Sequence, residues 1–309
     1  MKLLLIVSVA LAAGCASVSA GDAPRAVEVA SGVYMMRGAS GEVDVANGGR
    51  VGNAGFIVGD DGVIAIDTGT SYRHGVDLLA AVRRVTDKPV ELVFITHARQ
   101  EFLFGAAAFR RHGIPIHMQR KTARLMLARC EGCLKTLKRT LGDDAMDGTS
   151  IIEPDVVFDD AHTVHSIGRP VRVLHFGASS GPGDIAVLDQ QTGTLFAGGL
   201  LDAQRIPDIQ DSDFAGWRQA LTALRQQGVI TIVPGHGPAS GVQLIDTVER
   251  YLRQLEARLV ELLDAGVSLS DVADAAALPQ FEDWDQYAVI NRRNASILFL
   301  RLERELLLK

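Results

Sequence analysis

The chain has 309 residues, with 31 basic and 37 acidic side chains, a formal net charge of −6. Hydrophobic residues make up 47% and charged residues 22%, a globular balance that excludes disordered and collagen-like classes, and the acidic surface lacks the footprint of a nucleic-acid binder. With 3 cysteines, neither a multi-disulfide scaffold nor a four-cysteine zinc ribbon can form.

In chain order, residues 1–20 read MKLLLIVSVALAAGCASVSA. Lys2 followed by the apolar run Leu3 to Ala13 has the form of a signal peptide, too short to span a bilayer. Ala12-Ala13-Gly14-Cys15 resembles a bacterial lipobox, which would leave Cys15 lipidated at the mature N-terminus. Val18-Ser19-Ala20 suits ordinary signal peptidase. Either exit predicts an exported chain, periplasmic or lipid-anchored, whose membrane attachment is confined to an anchor on Cys15.

The body, residues 27–240, alternates strand and helix patterns. Val27–Ala30 and Val33–Arg37 are predicted strands around Ser31-Gly32, and 38–52 is a Gly- and Asn-rich loop. Apolar strands follow at Ala54–Val58, Val63–Ile66 and Val90–Thr96, with a helix over 74–86. Ile114–Met118 is a short strand, and 120–141 a basic helix interrupted by Cys130-Glu131-Gly132-Cys133. Strands return at 156–158, 162–167, 171–176, 185–189 and 194–197. A helix over 213–227 and the strand Val229–Val233 lead into Pro234-Gly235-His236-Gly237-Pro238. Residues 241–309 form a helical extension, with Leu244, Val248, Leu252, Leu255, Leu259 and Leu262 at helical spacing. Two successive strand-and-helix halves predict an α/β chain built as an αββα sandwich.

Six segments occur in one order: Asn53-Ala54-Gly55-Phe56-Ile57-Val58, Ile66-Asp67-Thr68-Gly69, Ile95-Thr96-His97, Gly181-Pro182-Gly183-Asp184, Leu195-Phe196-Ala197-Gly198-Gly199 and Val233-Pro234-Gly235-His236-Gly237-Pro238. Together they resemble the metallo-β-lactamase superfamily. The CxxC helix and Phe281–Leu307 resemble its quinoprotein relay system zinc metallohydrolase branch. The resemblance implies a fold in which strand-end residues hold two zinc ions, which activate a water and polarise the substrate. It also implies periplasmic quinoprotein components as partners.

Against the family motif His-x-His-x-Asp-His, this chain reads His97-Ala98-Arg99-Gln100-Glu101-Phe102. His97 keeps its ligand position and Glu101 replaces the aspartate. Arg99 and Phe102 stand where histidines belong. Ser180 falls at another histidine position, Gly199 at that of the metal-bridging aspartate, and His236 keeps the last ligand position. A guanidinium stays protonated in proteins and brings positive charge to the place of a dication. The expectation is therefore that the dinuclear centre does not form, and that Arg99 pairs with Glu101 or Asp67 and can contact a small anionic ligand. No cofactor is predicted beyond one zinc ion at most, on His97, Glu101 and His236. The former cleft would comprise Asp67, His97, Arg99, Glu101, Ser180 and His236.

Three functions follow as rivals: an inactive homologue binding an anion or a periplasmic partner, a hydrolase with a reduced mononuclear site, and a thiol–disulfide protein using Cys130 and Cys133. In an exported chain the pair is expected as a disulfide pinning a bend in its helix. Asp67 orients the metal-site loop in the family, and equally suits a turn residue accepting backbone N–H bonds. His112, His117 and His175 are read as structural, His162 and His165 as poor joint ligands on opposite strand faces, and Trp217 and Trp284 as packing residues in helical segments.

Overall fold

The computed structural model describes residues 25–308. The leader and Cys15 lie outside the described residues. No helix among the described residues is long and apolar enough to cross a membrane.

Two sheets lie face to face. In the first, β1 (Val27–Ala30), β2 (Val33–Met36), β3 (Ala54–Val58), β4 (Val63–Ile66), β5 (Val90–Phe94), β6 (Ile116–Gln119) and β7 (Val156–Phe158) follow one another in space as in sequence. The second runs β13 (Ser240–Gly241), β12 (Thr231–Val233), β11 (Thr194–Phe196), β10 (Ile185–Asp189), β9 (Val171–His175) and β8 (His162–Val164).

The period of two in these strands sorts their side chains between cores. Ile64, Ile66, Leu92 and Phe94 point to the second sheet and meet Ile185, Val187, Phe196 and Val233 in a core between the sheets. Their neighbours Val63, Ala65, Val93 and Ile95 pack outward. There they meet α1 (Tyr72–Val85), α3 (Ala106–Arg111) and α4 (Arg120–Leu141). On the far side, Ala186, Leu188, Leu195 and Ile232 pack under α5 (Phe214–Leu224), α6 (Gln243–Asp264), α7 (Leu269–Ala275) and α8 (Arg292–Leu307). The predicted αββα sandwich is thus the observed one. The helical extension beyond residue 240 is its outer layer, sharing one core with the second sheet.

Two local expectations need correcting. The 120–141 helix is not interrupted: α4 runs unbroken through Cys130-Glu131-Gly132-Cys133, and both cysteines are free thiols. An α-helix holds residues three apart with Cβ atoms about 5–6 Å apart, beyond the ~3.5–4.5 Å that a disulfide needs. The unbroken helix therefore opposes the bond. Trp284 lies in a turn just before a π-helical stretch, Tyr287–Asn291, and packs on Phe281 and Tyr251. Trp217 is buried in α5, its indole N–H donating to Leu200 O.

The loops that carry the site meet backbone to backbone. Thr68 N donates to Phe102 O and Gly105 N to Gly69 O. A Cβ on Gly105 would stand 2.0 Å from Thr68 O, and one on Gly75 would stand 2.1 Å from Gly105 O. Gly105→Ala is expected to cost about 1–3 kcal/mol, as overpacking does, read as a lowered thermal midpoint. An unchanged midpoint would mean that the two loops are free to part.

Candidate active cleft

Asp67 follows β4 in the left-handed region, with φ 57°. Buried, it accepts from Thr96 N at 2.9 Å and from Thr96 Oγ1 at 2.8 Å. Thr96 Oγ1 lies 2.7 Å from His97 Nδ1. With the threonine hydroxyl donating to Asp67, its oxygen accepts from His97 Nδ1–H, so that Nε2 carries the lone pair. Asp67 thus holds the loop that bears His97, and the backbone N–H it accepts belongs to that loop, 29 residues away, rather than to its own turn. Burial pushes the Asp67 carboxyl up to about 7, against the Thr96 hydrogen bonds. Burial and the Arg99 charge bring His97 down to about 3, so it is neutral.

His236 follows β12. Its Nδ1 lies 2.8 Å from Asp202 Oδ1, and its Nε2 lies 3.5 Å from Glu101 Oε1, an ion-pair distance that leaves this buried nitrogen without a hydrogen-bond partner. Burial opposes the imidazolium, but Asp202 and Glu101 outweigh it and raise His236 to about 9. Burial likewise opposes the Glu101 carboxylate, and His236 and Arg99 outweigh it and hold Glu101 at about 2. Asp202, Glu101 and His236 therefore form a buried charged triad. Phe102 packs against both histidines, its ring 4.2 Å from that of His97 and 5.1 Å from that of His236.

Arg99 precedes α2 (Gln100–Leu103). The expectation that it pairs with Glu101 or Asp67 is not met. Its guanidinium turns outward to Asp208, donating to Oδ2 at 2.6 Å and to the backbone carbonyl at 3.1 Å. Arg293 of α8 reaches the same Oδ2 at 2.5 Å. Asp208 offers both a carboxylate and a main-chain oxygen in one fork, which the planar guanidinium matches. Burial would lower the Arg99 pKa, but Asp208 raises it beyond its ordinary value.

Ser180 does not face the histidines as a ligand substitute; its hydroxyl donates to Asp184 Oδ2 at 2.7 Å. Burial pushes Asp184 up to about 6. Its carboxylate fills space cleared by two glycines: a Cβ on Gly181 would stand 2.3 Å from Asp184 Oδ1, and one on Gly199 2.8 Å from Oδ2 and 3.0 Å from the His97 ring. The Asp184 carboxylate thus borders the space that a side chain at position 199 would enter.

His97, Arg99, Glu101, Asp202, Asp208 and His236 line a cleft of ≈ 230 Å³, with Arg129 and Cys133 of α4, Arg205, Asp211 and Arg293 around it. The residues brought together are His97, Arg99, Glu101 and His236, with Gly199. Asp67, Ser180 and Asp184 support it from behind. Among the described residues, no group of three or more His, Cys, Asp or Glu side chains is placed to hold a metal ion. His97, Glu101 and His236 do not converge as a ligand set, and the Phe102 ring stands against both imidazoles, so this donor set does not fit zinc. Asp202, Asp208, Asp184 and Thr96 were missed as site residues. Asp184 and Thr96 stand inside the segments Gly181-Pro182-Gly183-Asp184 and Ile95-Thr96-His97, whereas Asp202 and Asp208 carry no spacing signal. The remaining histidines are elsewhere: His175 Nδ1 lies 3.1 Å from Asp184 O, His162 Nδ1 is 3.1 Å from Asp160 O, and the His117 ring packs on Phe94.

The sequence profile of the metallo-β-lactamase superfamily matches residues 47–236. The chain belongs to the metallo-β-lactamase superfamily. Among curated proteins it is similar to a linear primary-alkylsulfatase from Pseudomonas sp., 23% identical over 262 residues, covering 72% of this chain and 49% of that protein. It is also similar to a metallo-β-lactamase type 2 from Bacteroides fragilis, 28% identical over 106 residues, covering 33% of this chain and 43% of that protein. The chain thus spans about half the length of the alkylsulfatase and matches less of the lactamase. Among solved structures, a metallo-β-lactamase from Pontibacter korlensis superposes with a TM-score of 0.61 at 22% identity, covering 74% of this chain and 98% of that one. The lactamase FIM-1 from Pseudomonas aeruginosa, in its mono-zinc form, gives 0.59 at 22% identity, covering 74% and 94%. These likenesses establish the shared fold of this superfamily member.

Proposed function

We propose that this superfamily member works without the dinuclear zinc centre and binds a small organic anion in its cleft. The observation that carries the reading is the placement of two guanidiniums, Arg99 and Arg293, on the single carboxylate of Asp208 at the cleft wall. One carboxylate neutralises one of them, and the remaining positive charge and free N–H donors suit a monoanion. Deeper in, the His236 imidazolium is already flanked by the Asp202 and Glu101 carboxylates, so the charge that suits an anion lies at the Arg99–Arg293 wall. The alkylsulfatase among the relatives makes a short alkyl sulfate a reasonable first probe.

Calorimetric titration with hexyl sulfate tests this reading. Arg99→Ala and Arg293→Ala are each expected to weaken binding about tenfold or more, as loss of a charge-assisted contact does. Equal affinity in all three proteins would sink it. Zinc loading followed by metal analysis is expected to leave less than about one ion per chain, and about two ions would overturn the metal-free reading.

A second reading, a mononuclear hydrolase on His97, Glu101 and His236, is favoured by one observation, the unpartnered Nε2 of His236. It requires His236 to lose its proton and Phe102 to yield, and one tightly held zinc lost on His236→Ala would support it. In either case the leader supports export, with Cys15 as the anchor if the lipobox is used. The resemblance of the α4 and C-terminal segments to the relay-system branch supports periplasmic quinoprotein components as partners.

A further inference from the structure

We propose that Cys130 and Cys133 form a dithiol that exchanges with small disulfides entering the cleft, Cys133 attacking and Cys130 resolving. The two sit one helical turn apart on one face of α4. Their surroundings divide the work. Cys133 is partly exposed and lines the cleft, whereas Cys130 is 1% exposed behind it. A disulfide in the cleft therefore reaches Cys133 and not Cys130.

The electrostatics agree with this division. The neighbouring Cys133 sulfur, followed by burial, pushes Cys130 well above its ordinary value. The same proximity brings Cys133 below its ordinary value despite burial, and its thiol, while protonated, donates to Arg129 O at 3.6 Å. The accessible sulfur is thus the better thiolate, and the buried one keeps its proton until the first bond has formed.

The helix makes the oxidised state reversible. Closing the bond must draw the Cβ atoms inward from helical spacing, which tightens the turn through Glu131-Gly132. Gly132 has no neighbour within 4 Å of where a Cβ would stand, so this turn has room to tighten. A bond made against the helix is readily reduced, as strained disulfides are. The preceding turn carries Arg129, which pairs with Asp211 at the cleft rim. Oxidation would therefore reshape one wall of the cleft.

The Cys133 thiolate attacks one sulfur of R–S–S–R; that S–S bond breaks, one thiolate leaves and takes a proton from water, and a Cys133 mixed disulfide remains. Cys130 then gives its proton to solvent and attacks the Cys133 sulfur, releasing the second thiol. The protein loses two electrons, and the small disulfide gains them as two thiols.

The test is incubation of the reduced full chain with oxidised glutathione, acid quenching and peptide mass mapping, which reads Cys15 separately. Wild type is expected to lose two hydrogens on the peptide carrying Cys130 and Cys133 and to release two glutathione thiols. Cys130→Ser should accumulate one glutathione on Cys133. Cys133→Ser should react at Cys130 at least about tenfold more slowly. Cys130→Ala, run beside the serine variant with circular dichroism of each, separates reactivity from any folding defect of a hydroxyl in the core. Reaction at Cys130 in Cys133→Ser as fast as at Cys133 in Cys130→Ser would overturn the proposal. So would a wild-type mixed disulfide at Cys133 that never resolves.

Discussion

Replacing Arg169 by alanine will lower the unfolding free energy by about 3–5 kcal/mol, the cost of leaving a buried charge without its partner. Arg169 lies between β8 and β9, is 5% exposed, and joins the two sheets. Its Nε and Nη2 each donate to the Asp189 carboxylate at 2.6 Å. Nη1 donates to Val58 O at 3.0 Å and Nη2 to Ser31 O at 2.9 Å. Asp189 ends β10 of the second sheet, while Ser31 and Val58 belong to the hairpins of the first. Gly32, at φ 70°, lies directly beneath the guanidinium, where a Cβ would stand 2.6 Å from Nη1. Urea unfolding measures the loss. The double variant Arg169→Met with Asp189→Leu should recover much of it, because no unpaired charge is then left in the core. A loss below about 1 kcal/mol would mean that water reaches the pair.

The Asp189 carboxyl also sets an acid limit. Burial pushes it up, but Arg169 and Thr192 outweigh burial and hold it below its ordinary value. A carboxyl lowered on folding contributes stability that is present above its unfolded pKa, near 3.9, and is lost as pH falls through the folded value.

The second large effect lies on the alkaline side. His236 is raised from 6.5 to about 9. A base raised on folding contributes stability that is complete below its unfolded pKa and is lost as pH rises through the folded one. The shift corresponds to roughly 3–4 kcal/mol lost between about pH 6.5 and 9.5. Glu101, lowered to about 2, contributes in the opposite window: its share is present above about pH 4.3 and lost on acidification below that. Asp67 and Asp184, raised to about 7 and about 6, give stability at low pH that is gone by neutrality. Denaturant midpoints measured from pH 6 to pH 10 for wild type and His236→Gln separate these groups. The difference between the two curves should narrow as pH rises and vanish near pH 10. Parallel curves would show that His236 carries no extra proton in the folded chain.

Much of the fold was legible because burial writes a period into strands. Val63-Ile64-Ala65-Ile66 is apolar throughout because β4 packs on both faces, and the leucines of α6 recur at helical spacing because one face meets the second sheet. The ends of these strands were legible too, and the structure brings His97, Glu101 and His236 around one cleft, with Arg99 at its wall. The partners were not. Asp208 is 109 residues from Arg99, Asp202 is 34 from His236, and Asp189 is 20 from Arg169 across a strand. No local pattern marks any of them, because each pair forms only where separate loops converge.

The sequence by itself determined the superfamily, the sandwich order and the loss of family ligands, since these follow from motifs and periodicities that survive without neighbours. The tertiary structure decided what replaced them. Burial and the charges brought to it set whether a side chain keeps its proton, and both are properties of the assembled cleft. That is why His97 is neutral, His236 is charged, Arg99 faces Asp208 and the two cysteines stand as thiols on an unbroken helix.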